Sequence, residues 1–168
     1  ASVNAECRKR PTVIREDPYL EALDLLRDLK DDRALGILHN NLALQEAREG
    51  QWEQAVTSFK QALDHHRVVG NEEGLAVTYS QLGKCFLDQG DLTRAERCLN
   101  NASEHYIKLG KEPAEGAVLR LLATLYDARQ DLVSARRCLE RVVSLDQRYQ
   151  LPELQTDSAY LAKLKPSD

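Results

Sequence analysis

The feature that most constrains this chain is a repeat with a period of forty residues. Three stretches of the 168-residue sequence begin with a turn and continue as an amphipathic helix, with the same spacing of apolar and small residues. The equivalent positions are Gly50, Gly90 and Gln130; Leu42, Leu82 and Leu122; Ala55, Ala95 and Ala135; and Phe59, Leu99 and Leu139. A fixed period of this size indicates stacked supersecondary units, each of which buries its apolar side against a neighbour.

Each unit is predicted to contain two helices joined by a short turn. In the middle unit, Gly90 supplies the permissive backbone that ends the first helix, and Asp91 is a suitable N-cap for the second. The apolar stripe of the first helix is formed by Leu75, Ala76, Tyr79, Leu82, Gly83 and Phe86, and that of the second by Leu92, Ala95, Leu99 and Ala102. The small alanines at the repeated position allow the paired helices to approach closely.

The repeat predicts a single domain at residues 15–164, preceded by a flexible tail at residues 1–14. Asp17 and Pro18 form a cap and first-turn signature, so the segment after them is predicted to be the second helix of an incomplete unit. The predicted segments are this orphan helix at 17–30, repeats at about 33–72, 73–112 and 113–152, and a C-terminal capping helix at 154–164.

The residues of the middle unit resemble the tetratricopeptide repeat family. The match consists of Tyr79, Leu82, Gly83, Phe86, Gly90, Ala95, Leu99 and Ala102, and the spacing is similar to that of the long-helix variety of the family. The resemblance implies an all-α fold, a right-handed superhelical solenoid of antiparallel helix pairs. It also implies that the first helices line a concave groove that holds a peptide or a helix of another protein.

The candidate binding residues lie on the first helices, on the side away from the apolar stripe. They are Asn40, Asn41, Leu44, Arg48, Val77, Ser80, Lys84, Asp88, Arg120, Thr124 and Asp127. Several of them carry hydrogen-bond donors that suit backbone carbonyls or acidic side chains of an extended ligand. Exchanging Lys84 and Arg120 for Glu is expected to abolish partner capture and leave the fold intact. The resemblance also implies where a clamp of Lys, Asn and Arg side chains would hold a C-terminal carboxylate, as in chaperone-binding members of the family. Leu44 stands where the clamp Asn is expected and cannot donate a hydrogen bond, so this clamp is not predicted.

Composition and motifs favour a binding protein over an enzyme. The formal net charge of −4 argues against nucleic acid as the main ligand, and no apolar run is long enough to span a membrane. We find no nucleophile elbow, phosphate loop or dinucleotide fingerprint, so no catalytic activity and no cofactor are predicted. Adjacent His65 and His66 point in different directions on a helix, so no metal site is predicted. The cysteine pattern favours a reduced, cytoplasmic setting.

Three hypotheses for function remain open at this point. The first is a non-catalytic scaffold that binds a peptide or helical segment of another protein in the concave groove. The second is a regulatory or sensor segment of a larger signalling or transcription-regulating protein, an expectation that fits a chain beginning at Ala1 with an orphan helix. The third is self-association through the terminal helices, by way of apolar residues such as Tyr19, Leu23 and Leu26.

Overall fold

The computed structural model describes residues 18–164, which form eight α-helices and contain no β-strand. The helices are α1 (Pro18–Asp28), α2 (Asp32–Arg48), α3 (Trp52–Val68), α4 (Glu72–Asp88), α5 (Leu92–Lys108), α6 (Glu112–Ala128), α7 (Leu132–Tyr149) and α8 (Leu154–Lys163). The most extensive contacts join α2 to α3, α4 to α5 and α6 to α7. Three helix pairs therefore stack in chain order between two flanking helices, and the predicted all-α solenoid is confirmed. The predicted tail at residues 1–14 lies outside the described residues.

The helices begin where short polar side chains can satisfy the free amides of their first turns. Asp31, Asn71, Asp91 and Asp131 each accept a hydrogen bond from the backbone amide three residues later, at 2.9–3.1 Å. Side-chain caps of this kind stabilise a helix by about 1 kcal/mol. The caps stand at the starts of α2, α4, α5 and α7.

The turns between helices recur every twenty residues, which is half the period of the sequence repeat. Each contains a residue with positive φ, and these residues are spaced twenty apart: Lys30, Gly50, Gly70, Gly90, Gly110, Gln130 and Gln150. At every one of these turns the next backbone amide donates to the carbonyl five residues before it, as Asp91 does to Phe86 at 2.9 Å. This is the six-to-one hydrogen bond of the Schellman motif. The link within a helix pair therefore has the same geometry as the link between pairs.

Gln130 adopts a left-handed conformation, φ 61°, that glycine occupies at four of the other turns. Such a conformation costs a residue with a Cβ about 1–2 kcal/mol, whereas glycine adopts it freely. We expect Gln130→Gly to raise the free energy of unfolding by up to about 1 kcal/mol, because glycine also loses more entropy on folding. Chemical denaturation measures the change. Gln89→Gly is the matched control, since Gln89 has an ordinary φ of −82°; a gain there as well would contradict this explanation.

The core lies between the helix layers and is built from the repeated positions. Ala55, Ala95 and Ala135 are each at most 1% exposed, and Phe59, Leu99 and Leu139 are fully buried. The two helices of the middle pair approach closely at Gly83 of α4, where an added Cβ would lie 2.8 Å from the side chain of Leu99 on α5. The small residues that the sequence places on the stripes are therefore required by the distance between helices.

The terminal helices pack against one neighbour each. Helix α1 contacts α2, and α8 contacts α7. Leu23 is only 6% exposed, so it is not part of an open apolar surface, contrary to the sequence-based expectation. The exposed apolar side chains are instead Leu20 and Leu25 of α1, at 58% and 60%, and Leu29 in the turn after it, at 66%.

Candidate functional site

The concave surface is the surface lined by the first helices of the three pairs, α2, α4 and α6. Among the described helices, α2 contacts α4 and α4 contacts α6, whereas α3, α5 and α7 do not contact one another. A curved stack brings the helices of its inner side closer together than those of its outer side. The first helices therefore lie on the inside of the curve.

The part of the concave surface that belongs to α2 and α4 is open. Asn41, Arg48, Lys84 and Asp88 are exposed. Leu44, Val77 and Ser80 are partly buried. Lys84 is close to Asp88 one turn away, with 3.4 Å between Nζ and Oδ2, and both side chains are more than half exposed. Such a surface pair contributes little to stability, so Lys84 remains available to a ligand.

Asn40 departs from the other candidates because it is buried, at 8% exposure. Its Oδ1 atom has no hydrogen-bond partner. Asn40 thus faces the junction between helices and not the open groove.

Two of the three candidate residues on α6, Arg120 and Asp127, are bound by side chains of neighbouring helices. The guanidinium of Arg120 donates from Nε to Asp157 of α8 at 2.6 Å and from Nη2 to Asp146 of α7 at 2.5 Å. Asp127 accepts a hydrogen bond from the Tyr160 hydroxyl of α8 at 2.8 Å. Thr124 is exposed, and its hydroxyl donates to the Arg120 carbonyl at 3.1 Å.

The Arg120 cluster joins three helices around two buried carboxylates. Asp146 is fully buried and Asp157 is 5% exposed. Burial raises the pKa of Asp146 and the neighbouring Asp157 raises it further, while the Arg120 guanidinium lowers it; the net pKa is raised. Burial lowers the pKa of Arg120, but its bonds to Asp157 and Asp146 outweigh that effect and raise it. The cluster holds α8 against the end of the stack.

The contacts of Arg120 change one expectation from the sequence. The exchange of Arg120 for Glu was expected to leave the fold intact. It would place a third carboxylate beside Asp146 and Asp157, so we now expect it to destabilise the C-terminal end. The sequence offered a weak signal for this cluster, because Asp146 and Asp157 are acidic residues on otherwise buried helix positions.

Two of the histidines hold paired helices together. His65 Nδ1 lies 2.7 Å from Asp32, and His105 Nδ1 lies 2.6 Å from Glu72. The His65 ring also stacks on His39 with ring centroids 5.4 Å apart. In residues 18–164 no group of three or more His, Cys, Asp or Glu side chains is placed to hold a metal ion.

The described cysteines are free thiols: Cys85, Cys98 and Cys138. Cys98 and Cys138, forty residues apart, are partly buried on successive second helices. Burial raises the pKa of the Cys98 thiol to about 11. A thiol of this kind is a poor nucleophile at neutral pH.

The repeat pattern is found independently by comparison with known families. A family model described as tetratricopeptide repeat matches residues 33–108 and again residues 74–148, which together make up more than half of the chain. This chain belongs to the tetratricopeptide repeat family. The matched region begins at α2 and ends in α7, so it contains all three helix pairs of the TPR stack.

A solved structure supports the TPR fold. The chain is similar to the crystal structure of BtubC (BKLC) from P. vanneervenii, with a TM-score of 0.79 and 24% sequence identity over 87% of this chain. The similarity extends over 62% of the length of that protein. At this level of identity the comparison establishes the fold alone. No match was found among curated proteins.

Within residues 18–164, no helix is both long enough and apolar enough to cross a membrane.

Proposed function

We propose that this TPR chain is a non-catalytic scaffold whose concave surface binds a peptide or helical segment of another protein. Members of a repeat family present extended concave surfaces because the units stack with a small rotation between them. Fold does not by itself determine function, so the proposal depends on the side chains of this surface.

The observation that carries the proposal is that polar groups of α2 and α4 face the open concave surface with few internal contacts. Asn41, Arg48 and Lys84 are exposed there. By contrast, Arg120 and Asp127 at the other end are bound by α8. A ligand would therefore lie along α2 and α4 and extend toward exposed Thr124, so the proposed groove is shorter at the α6 end than the sequence predicted.

The other sequence-based hypotheses stay predictions. A sensor segment of a larger protein would use the same open surface. Self-association would use the exposed side of α1 and the turn after it, whose apolar side chains are Leu20, Leu25 and Leu29. The expected cytoplasmic setting and the expected lack of a nucleic-acid partner also stay predictions.

Lys84→Glu is expected to weaken peptide binding by at least about tenfold. Hydrogen bonds from a charged donor contribute about 1.5–3 kcal/mol, and about 1.4 kcal/mol corresponds to a factor of ten in Kd. Peptides selected from a random library on the wild-type protein provide the ligands, and fluorescence anisotropy measures Kd. Lys60→Glu is the matched control, because Lys60 is equally exposed but lies on the second helix α3. Equal losses in the two variants, or a library that yields no binder, would refute the concave surface as the site.

A further inference from the structure

One position in each second helix reaches the junction between two successive first helices. Under the forty-residue shift the position is His66 in α3, Tyr106 in α5 and Asp146 in α7, which are 2%, 7% and 0% exposed. The His66 ring lies between α2 and α4, because a Cβ added at either Gly36 or Gly74 would come within 2.6 Å of it. The residue at this position therefore determines what fills the junction behind the concave surface.

The junctions are filled differently. In the next unit the equivalent residue is Tyr106 of α5, which is buried and has a larger ring than His66. Between α6 and α8 the position holds Asp146, which binds Arg120. Between α2 and α4 it holds the smaller imidazole of His66, and a cavity of about 300 Å³ remains there. A single water occupies about 30 Å³ of liquid, so this cavity has room for a side chain.

Two residues that line this cavity each have a buried polar atom without a partner. Asn40 Oδ1 and Thr78 Oγ1 are buried and form no hydrogen bond. An unpaired buried polar group is unfavourable, so its retention requires an explanation. The fold itself does not need the hydroxyl, since the residue equivalent to Thr78 at the next junction is Val118, which is 1% exposed.

His66 supplies a hydrogen-bond donor at the same place. The Asn71 amide oxygen accepts from the backbone N–H of Gly74 at 3.0 Å, which turns the Asn71 NH₂ group toward His66 Nδ1 at 3.2 Å. His66 Nδ1 is then an acceptor, and the ring hydrogen is on Nε2. Burial lowers the pKa of His66, as do the nearby His65 and Arg33, so the ring is neutral at pH 7.

We propose that this cavity binds the side-chain carboxamide of a glutamine or asparagine in the segment that occupies the concave surface. The inference rests on the proposed function and adds the class of side chain that is recognised. Asn40 Oδ1 and Thr78 Oγ1 are each less than 1 Å² exposed in the free protein, so these side chains turn toward the cavity on binding. The carboxamide NH₂ then donates to Asn40 Oδ1, and the carboxamide oxygen accepts from His66 Nε2 or the Thr78 hydroxyl. Ile37 and Val77 on the two sides of the cavity contact the aliphatic stem.

Charged side chains fit this cavity less well. A carboxylate has no hydrogen to donate to Asn40, and an ammonium group has no lone pair to accept from His66. The charges that line the cavity, Arg33 and Glu73, are of opposite sign, and Glu73 is already bound by Lys111 at 2.5 Å. Burial of an unpaired charge is unfavourable, whereas a carboxamide is neutral and offers both kinds of hydrogen-bonding group.

The test is a positional-scanning library of nonapeptides, in which each pool fixes one residue as Gln, Asn, Glu, Lys or Leu. We expect the best Gln or Asn pool to bind the wild-type protein about tenfold more tightly than the Glu, Lys and Leu pools at the same position. In the double variant Asn40→Leu, Thr78→Val the preference should fall to within about twofold. The double variant should not melt earlier than wild type, because it removes two buried oxygens, Asn40 Oδ1 and Thr78 Oγ1, that form no hydrogen bond. Thr57→Val is the control, since it makes the same hydroxyl-to-methyl exchange on the second helix α3, away from the concave surface, and it should keep the preference.

The possible results separate the two proposals. Binding of all pools with equal affinity, a preference for Glu, Lys or Leu, or a carboxamide preference that survives the double variant would overturn the carboxamide site and leave the concave surface standing. A library without any binding pool would overturn both. If the double variant does not fold, Thr78→Val alone decides, because valine already occupies the equivalent buried position at Val118.

Discussion

Arg120→Ala is expected to lower the free energy of unfolding of the C-terminal end by about 3–5 kcal/mol, the typical cost of removing one partner of a buried ion pair. The substitution leaves Asp146 and Asp157 buried, at 0% and 5% exposure, without their cation. Because each unit of a solenoid contacts only its neighbours, the loss should be local. Hydrogen exchange should show faster exchange in α7 and α8 and little change in α2 and α3.

The difference in free energy of unfolding between the Arg120→Ala variant and the wild type should become smaller as the pH is lowered. The pKa of Asp146 is already raised in the folded protein, and Arg120 is the group that lowers it, so the variant raises it further. Because the Asp146 carboxyl has a higher pKa in the folded state than in the unfolded state, the folded state binds the proton more tightly. The free energy of unfolding of the variant therefore increases as the pH falls from 7 toward the pKa of an unfolded Asp, about 4. Urea titrations at pH 7 and pH 5 measure this effect.

Arg136→Ala is the matched control for charge removal near the same end. Arg136 pairs with Glu140 on the surface of α7, with side chains 39% and 53% exposed. Surface pairs contribute about 0–1 kcal/mol, so the control should lose little stability and show no gain at pH 5 relative to wild type. Equal losses for the two arginine variants would show that the buried carboxylates are satisfied without Arg120.

Gly83→Leu is expected to destabilise the middle helix pair by about 1–3 kcal/mol through overpacking. A Cβ at Gly83 would lie 2.8 Å from Cγ and Cδ2 of Leu99 and 3.2 Å from its backbone nitrogen. The side chain of Leu99 can rotate, but its backbone belongs to α5 and can move only if the helices separate. Thermal unfolding followed by circular dichroism measures the loss.

Gly83→Ala and Gly116→Ala provide a matched comparison at two helical glycines. A Cβ at Gly116 would meet only Leu145 Cδ1 at 3.5 Å, an ordinary contact. Alanine is favoured over glycine in a helix by about 1 kcal/mol, so Gly116→Ala should stabilise the protein. Gly83→Ala should not stabilise the protein, because the close contact of the new methyl group with Leu99 offsets the gain in helix propensity. Equal stabilisation by both alanines would mean that α4 and α5 are not as close as the structure places them.

The architecture could be predicted from the sequence because several local signals agree with the repeat. Gly90 and Asp91 mark the end of one helix and the start of the next, and the observed turn and cap are found there. The twenty-residue spacing of the turns was not predicted. Three of the seven left-handed positions hold Lys30, Gln130 and Gln150, whose side chains give no signal of positive φ.

The candidate site could be predicted only in outline. Helical spacing placed Asn40 and Arg120 on the first helices but could not show that Asn40 is buried or that Arg120 is bound. The partners of Arg120 are 26 and 37 residues away in sequence, on helices whose relative placement depends on packing. The forty-residue shift relates His66 to Tyr106 and Asp146, but it does not show that this position reaches the junction between two first helices.

The uniform turns have a consequence for how such a chain can be shortened. Excising residues 72–111 would join Asn71 to Glu112, and Gly70 would still supply the left-handed link at φ 61°. In the shortened chain α3 would nevertheless be followed by α6, and Ala114 would take the place of Gly74. The methyl group of Ala114 would then lie within 2.6 Å of the His66 ring. The turns are therefore interchangeable, but the junctions between successive helix pairs are not. The side chains that fill these junctions behind the concave surface limit the order in which the pairs can follow one another.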